Sequence, residues 1–175
     1  MRGLNKNIIL FFDEPYLGSF GSAYIPINRQ DVIKCLSEFS AAIESEGVLL
    51  GVHCCGNTDW SIFTDVPNID IINFDAYSFL DKFVLYADNL KGFLNRGGVV
   101  CWGIVPTQVF SGTETPDLLI RKIKEGIDAL SKKGIPEDLL LDNFMLSPAC
   151  GLGAIEPVKA EKILKLLSET SACLK

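Results

Sequence analysis

Residues 48–57 have the sequence VLLGVHCCGN, an apolar run that ends in the only histidine of the chain and two cysteines. Successive side chains of a β-strand point to opposite faces, so His53 and Cys55 are predicted on one face and Cys54 on the other. An imidazole beside a thiol is a pair that zinc prefers. Alone, the pair is a weak signal, because a histidine near a buried cysteine is commoner than a pair of ligands.

Apolar runs and helical patterns alternate along the whole chain. The helical patterns carry apolar stripes three or four residues apart, with Gly47, Gly97-Gly98 and Gly134 as stops and a short helix at most over 58–63. Because 8–12 is apolar without a break, we expect that strand to be buried on both faces. The predicted strands are 8–12, 48–52, 69–74, 99–105 and 139–146. The predicted apolar helix stripes are Val32, Leu36, Phe39 and Ile43; Phe83, Leu90 and Phe93 within a helix over 79–95; Leu119, Ile123, Ile127 and Leu130 after Pro116; and Ile163, Leu166 and Leu167 after Pro157.

This alternation predicts an α/β fold of parallel strands joined by right-handed crossovers. An open doubly wound sheet and part of a (β/α)8 barrel both fit. Gly151-Leu152-Gly153 is too short for a dinucleotide fingerprint, and no Gly-x-Gly-x-x-Gly or Walker lysine motif follows a strand. The barrel is therefore favoured.

Composition narrows the class of protein. The 175 residues fit one domain, 1–175, and the net charge of −6 argues against a nucleic-acid partner. No apolar run approaches the roughly 20 residues of a membrane helix. The six cysteines form no paired framework and no signal peptide precedes the first strand, which predicts a cytoplasmic protein. Cys35, Cys101 and Cys173 are expected to be small buried hydrophobes.

Residues with metal-binding or acid chemistry gather at the predicted strand ends. The carboxyl ends of parallel strands meet at one rim, so these residues can converge on one ion. One histidine, two cysteines and an optional carboxylate match a catalytic zinc, which keeps one position open for substrate. The two aspartates could instead cap helices or form turns. The candidates are Asp13, Glu14, His53, Cys55, Asp75 and Cys150.

Three motifs carry a family resemblance: Asp13-Glu14-Pro15, His53-x-Cys55 and Ser147-Pro148-x-Cys150-Gly151-Leu152. Together they resemble the C-terminal catalytic barrel of cobalamin-independent methionine synthase. The stretch 53–57 is also similar to the related uroporphyrinogen decarboxylase superfamily, which includes methylcobalamin:coenzyme M methyltransferases. The resemblance implies a (β/α)8 barrel of this type.

For the site, the resemblance implies that His53, Cys55 and Cys150 form the catalytic zinc centre. Asp75 stands where the family has a ligand glutamate, so it could be a ligand, a partner of a ligand or neither. Asp13 matches the acid that holds the amino group of homocysteine, and Glu14 lies beside it in the substrate-binding segment.

For activity, the resemblance implies a zinc-dependent methyltransferase in methionine biosynthesis. A homocysteine-like thiol would lose its proton at the zinc and, as zinc thiolate, accept a methyl group from a methylcorrinoid or a methylated pterin. The corrinoid would be carried by a partner protein. Two alternatives stay open: a metal-free uroporphyrinogen decarboxylase-like enzyme, disfavoured because none of the four arginines follows a strand, and a non-catalytic corrinoid-binding partner with a vestigial zinc site.

The chain is short for this fold. A (β/α)8 barrel typically takes about 200–250 residues, and the five predicted units correspond to the fourth to eighth of the family. An unclosed barrel exposes two strand edges and an apolar interior. We therefore expect an oligomer, a complex with a separate N-terminal half-barrel, or a fragment of a longer protein.

Overall fold

Five parallel strands form a single sheet in the computed structural model, which describes residues 8–21, 27–43 and 47–174. The strands lie in the sheet in the same order as in the sequence. All four pairings are parallel. The strands are β1 (Ile8–Asp13), β2 (Val48–Cys54), β3 (Ile71–Phe74), β4 (Val99–Val105) and β5 (Phe144–Pro148).

Helices connect the successive strands. Right-handed crossovers between neighbouring parallel strands place every helix on the same face of the sheet. An open doubly wound sheet instead has a point where the strand order reverses, and the five described strands have none. The α/β prediction is thus confirmed, and the strand order is compatible with a partial barrel. The helices are α1 (Arg29–Ile43), α2 (Ser61–Thr64), α3 (Ala76–Phe83), α4 (Ala87–Asn95), α5 (Pro116–Lys132), α6 (Glu137–Asp142) and α7 (Pro157–Cys173).

None of these helices, within the described part of the chain, combines the length and the apolar character needed to cross a membrane.

The hydrophobic core lies between the sheet and the helices. Val52, Phe74 and Trp102 are buried there from three adjacent strands. The ring of Phe74 stacks on that of Phe83 from α3, with centroids 3.7 Å apart. The stripes predicted for the helices after β3 and β4 are buried as expected: Phe83, Leu90 and Phe93, then Leu119, Ile123, Ile127 and Leu130.

Two predicted elements are wrong in extent. The predicted strand 139–146 is the helix α6 followed by β5. Pro136 and the acidic Glu137 and Asp138 favour a helix start, and the three leucines that follow fit a helix turn as well as a strand. The predicted helix 79–95 is divided into α3 and α4 by a 3-10 turn at Val84–Tyr86.

The prediction that β1 is buried on both faces is also wrong. Ile9 and Phe11 are 48% and 40% exposed, and Leu49 of the neighbouring strand is 46% exposed. These side chains project from the face of the sheet that carries no helix, next to the open edge. Burial of that face needs a covering layer, which these five units do not supply.

The six cysteines differ in burial, with Cys55 and Cys150 partly buried. All six are free thiols. Cys54 and Cys101 are buried as expected, whereas Cys35 and Cys173 are exposed, against the prediction. Cys35 and Cys173 lie on the solvent side of amphipathic helices, α1 and α7. Periodicity alone does not predict whether a small residue at such a position is buried.

The exposed apolar face predicts that the chain associates in solution, as expected from the sequence. Contiguous exposed apolar surface beside an unpaired strand edge favours assembly. Static light scattering at micromolar concentration should give a mass above the 19.2 kDa of one chain. A monodisperse, folded 19.2 kDa particle would refute the expectation.

Candidate metal centre

The parallel register of the sheet aligns four side chains across four strands. Asp13 of β1 pairs with His53 of β2, His53 with Asn73 of β3, and Asn73 with Cys101 of β4. Paired residues on adjacent strands point to the same face. The four side chains therefore form a row across the strands, on the face opposite the helices, and all four line one cleft.

His53, Cys55 and Cys150 form a cluster of possible metal ligands. One ring nitrogen of His53 and the two sulfurs all lie within 4.8 Å of one another, the one such cluster in the described part of the chain. Tetrahedral zinc with N and S ligands separates its ligand atoms by roughly 3.5–3.8 Å. The cluster is thus near the size of a zinc site, and its ligand atoms need to approach one another by about 1.3 Å at most. The predicted convergence of these three residues is present in the structure.

Cys150 reaches the cluster because the chain bends after β5. The pairing of β4 with β5 shifts register between Gly103 and Val105, and the backbone N–H of Ala149 donates to the carbonyl oxygen of Val105 over 2.8 Å. A Cβ at Gly103 would lie 2.8 Å from the Cα of Ala149, so only glycine permits this approach. Irregular pairing of this kind redirects a side chain beside a site.

His53 has one nitrogen engaged and one unpartnered. Its Nδ1 lies 2.6 Å from Oδ1 of Asn73. Its Nε2 is buried without a hydrogen-bond partner, and the residue is only 8% exposed. A buried polar atom left unsatisfied costs about 1–3 kcal/mol. Other orphaned atoms occur in the described chain, but only this one belongs to a residue clustered with two thiols.

Burial raises the pKa of two cysteines near His53, Cys54 and Cys150. Burial raises the pKa of Cys54 to about 11, and its thiol donates to the carbonyl oxygen of Gly56 over 3.7 Å. Cys54 is therefore a neutral core thiol, on the face predicted for it. Burial also raises the pKa of Cys150, and the charges of Cys55 and Asp13 add to that effect, against a lowering bond from the backbone of Gly151.

The two acids after β1 lie in different surroundings. Asp13 lines the cleft and is close enough to Cys150 for its charge to act on that thiol. Glu14 does not line the cleft. Burial raises the pKa of Glu14, while hydrogen bonds from the backbone of Tyr16 and Leu17 lower it. The structure therefore brings Asp13, but not Glu14, to the candidate site.

The cleft beside the cluster has a volume of about 350 Å³. The ring of Phe11 covers Gly51 at one side, where any Cβ would overlap it. Sequence reasoning missed several lining residues. Asn73 carried a detectable signal, as a polar residue within the apolar end of the predicted strand, Ile71–Phe74. The missed lining residues are Phe11, Asn73, Cys101, Met145, Leu146, Ser147, Pro148, Gly151 and Leu152.

Asp75 lies outside the metal cluster. It is the N-cap of α3, and its Oδ1 accepts a hydrogen bond of 2.8 Å from the backbone N–H of Ser78. Of the roles considered for it, the structure gives this acid a capping contact and places it away from the ligand atoms.

Replacement of Asp75 tests whether this residue is a helix cap or a metal ligand. Asp75→Ala should lower the free energy of unfolding by about 0.5–2 kcal/mol, because an N-cap bond is lost. Zinc affinity, measured by competition with a chromophoric chelator, should stay unchanged. A large loss of affinity in a folded variant would instead identify Asp75 as a ligand.

In comparisons with known proteins, no family model matches the chain, and no curated protein is significantly similar to it. The likeness to methionine synthases therefore rests on the quoted motifs.

Proposed function

We propose that the chain is a zinc-dependent methyltransferase that acts on a thiol. The observation that carries the proposal is the buried, unpartnered Nε2 of His53, in a residue clustered with the thiols of Cys55 and Cys150. An imidazole that keeps one nitrogen bonded to the protein and the other free is typical of a metal ligand.

The donor set favours zinc over other common ions. Thiolate and imidazole suit zinc, whereas calcium and magnesium prefer oxygen ligands. Two thiolates would neutralise a divalent cation, which offsets the cost of a buried charge. Three protein ligands leave the fourth tetrahedral position open, as in catalytic rather than structural zinc sites.

The neighbouring residues suit a small thiol that carries a cation. A zinc ion held here would supply Lewis acidity, which favours thiolate over thiol at neutral pH. Asp13 lines the same cleft, and its carboxylate could accept a charge-assisted bond from a substrate amino group. Apolar side chains such as Phe11 and Leu152 also line the cleft. Phe11 is 40% exposed in the single chain, so exclusion of water from the sulfur would need the covering layer.

The reaction itself is proposed from the resemblance. A bond forms between the thiol sulfur and a methyl carbon while the donor's bond to that carbon breaks, and the thiol proton passes to solvent. The donor would be a methylcorrinoid on a partner protein or a methylated pterin. The residues of this chain would bind and orient the thiol for in-line approach of the methyl group.

The decarboxylase alternative finds little support in the arginines. Arg29 is bonded to Asp59 and Asp65, and Arg96 donates to backbone carbonyls of the β2–β3 connection. Neither lines the cleft. A tetrapyrrole with several carboxylates would need cations there.

Zinc content tests the metal site. Protein purified without chelator should contain about one zinc per chain, by analogy with other three-ligand sites. His53→Ala, Cys55→Ser and Cys150→Ser should each lose most of it, with folding checked by circular dichroism. Cys54→Ala is the matched control, because it removes a neighbouring thiol outside the cluster. Negligible zinc in the wild type, or equal zinc in all variants, would refute the site.

Thiol binding tests the activity. In cobalt-substituted protein, homocysteine should change the visible absorption, and Asp13→Asn should weaken its apparent affinity. Transfer of a methyl group from methylcobalamin to the thiol should then be detectable by mass spectrometry. Zinc binding without any spectral response to thiols would reject the enzyme in favour of a vestigial site.

A further inference from the structure

Asn73 occupies the centre of the row of side chains next to the metal cluster. It lies on β3, between His53 of β2 and Cys101 of β4, and only 7% of it is exposed. Its amide group has three hydrogen-bond contacts, to His53, Cys101 and Ser147. When the amide of a buried asparagine makes this many hydrogen bonds, its neighbours determine its orientation.

The carbonyl oxygen of Cys101 decides how this amide is oriented. A backbone carbonyl can only accept, so the Nδ2 group of Asn73 must face it, at 2.9 Å. The Oδ1 atom then faces Nδ1 of His53 at 2.6 Å, and Oδ1 can only accept as well. Nδ1 must therefore carry the ring proton, and in the neutral imidazole the free electron pair is on Nε2.

The same amide connects the two halves of the metal cluster. Its Nδ2 also donates to Oγ of Ser147 over 2.8 Å, and this hydroxyl donates to the carbonyl oxygen of Pro148 over 2.9 Å. Cys150 follows in the same segment. Because β2 and β5 are not neighbours in the sheet, no backbone pairing joins His53 directly to this segment.

We propose that Asn73 is the positioning residue of the metal centre. It sets the Nδ1–H tautomer of His53 and ties the imidazole to the Ser147–Cys150 segment. The role of Asn73 in metal binding rests on the proposed function. The tautomer of His53 does not, because the hydrogen bonds that set it are present in the metal-free protein.

An amide is required here, rather than any polar group. An aspartate would present an acceptor to the carbonyl oxygen of Cys101, which is also an acceptor, and would add a negative charge next to His53 and Cys101. Asn73→Asp is therefore expected to disturb the site although its shape is nearly conserved. Asn73→Leu has a similar size and removes all three hydrogen bonds.

The only histidine of the chain makes the tautomer directly measurable. Long-range ¹H–¹⁵N correlation spectra of metal-free protein, at a pH where the ring is neutral, contain the two ring nitrogens of His53 alone. The wild type should show Nδ1–H with an unprotonated Nε2. Asn73→Leu should shift toward Nε2–H, whereas Ser147→Ala should keep Nδ1–H because the contacts to His53 and Cys101 survive.

Zinc affinity gives the second measurement. Competition with a chromophoric chelator should show a loss of about 10–100-fold in Asn73→Leu, the usual effect of removing a partner of a ligand histidine. Ser147→Ala should lose less, since it breaks only the tie to the Cys150 segment. An unchanged affinity in folded Asn73→Leu would overturn the proposal.

The tautomer and the metal can fail separately. An Nε2–H ring in the metal-free wild type would overturn the role of Asn73, even if zinc binds and even if Asn73→Leu does not fold. An Nδ1–H ring in a protein that takes up no zinc would instead reject the metal centre and support the control of the tautomer by Asn73.

Discussion

The parallel register of the first four strands is the constraint on which the candidate site depends. It aligns Asp13, His53, Asn73 and Cys101 on one face of the sheet. A slip of one residue would turn these side chains toward the helices and bring core residues to the cleft. The register is maintained from the other face, where Val52, Phe74 and Trp102 are buried against the helices. Packing of the core on one face of the sheet thus fixes the positions of the polar side chains on the other face.

Within that row, hydrogen-bonding capacity is satisfied unevenly. Asn73 uses both ends of its amide, whereas His53 uses Nδ1 and leaves Nε2 without a partner. A polar core that served only stability would be expected to satisfy both. In this row the buried atom without a partner is Nε2 of His53, in a residue clustered with two thiols, and this arrangement suits a ligand site.

Periodicity alone predicted most of the fold. Five apolar runs and their helical stripes were enough to place the strands, and alternation along β2 placed His53 and Cys54 on opposite faces. It failed where a local pattern is ambiguous, as at Leu139, whose run fits a helix and a strand equally. It also failed for β1, because burial depends on what covers a strand and not on the strand's own residues.

The site was predictable to the extent that strand ends converge. His53, Cys55 and Cys150 could be grouped because parallel strands share a rim, and Asp13 with them. Asp75 follows its strand in the same way, yet it caps α3 by accepting a hydrogen bond from the backbone N–H of Ser78. The convergence of strand ends does not predict this role. Asn73 could not be assigned a role, since its partners Cys101 and Ser147 are 28 and 74 residues away in sequence.

X-ray absorption at the zinc edge is a direct test of the metal centre, because it counts the atoms bound to the ion. A zinc ion held by these residues should have two sulfur ligands at about 2.3 Å and one imidazole nitrogen at about 2.0–2.1 Å, with a fourth light atom. The sulfur count should fall to one in Cys150→Ser. A first shell of oxygen and nitrogen alone, or of four sulfurs, would contradict a centre built from His53, Cys55 and Cys150.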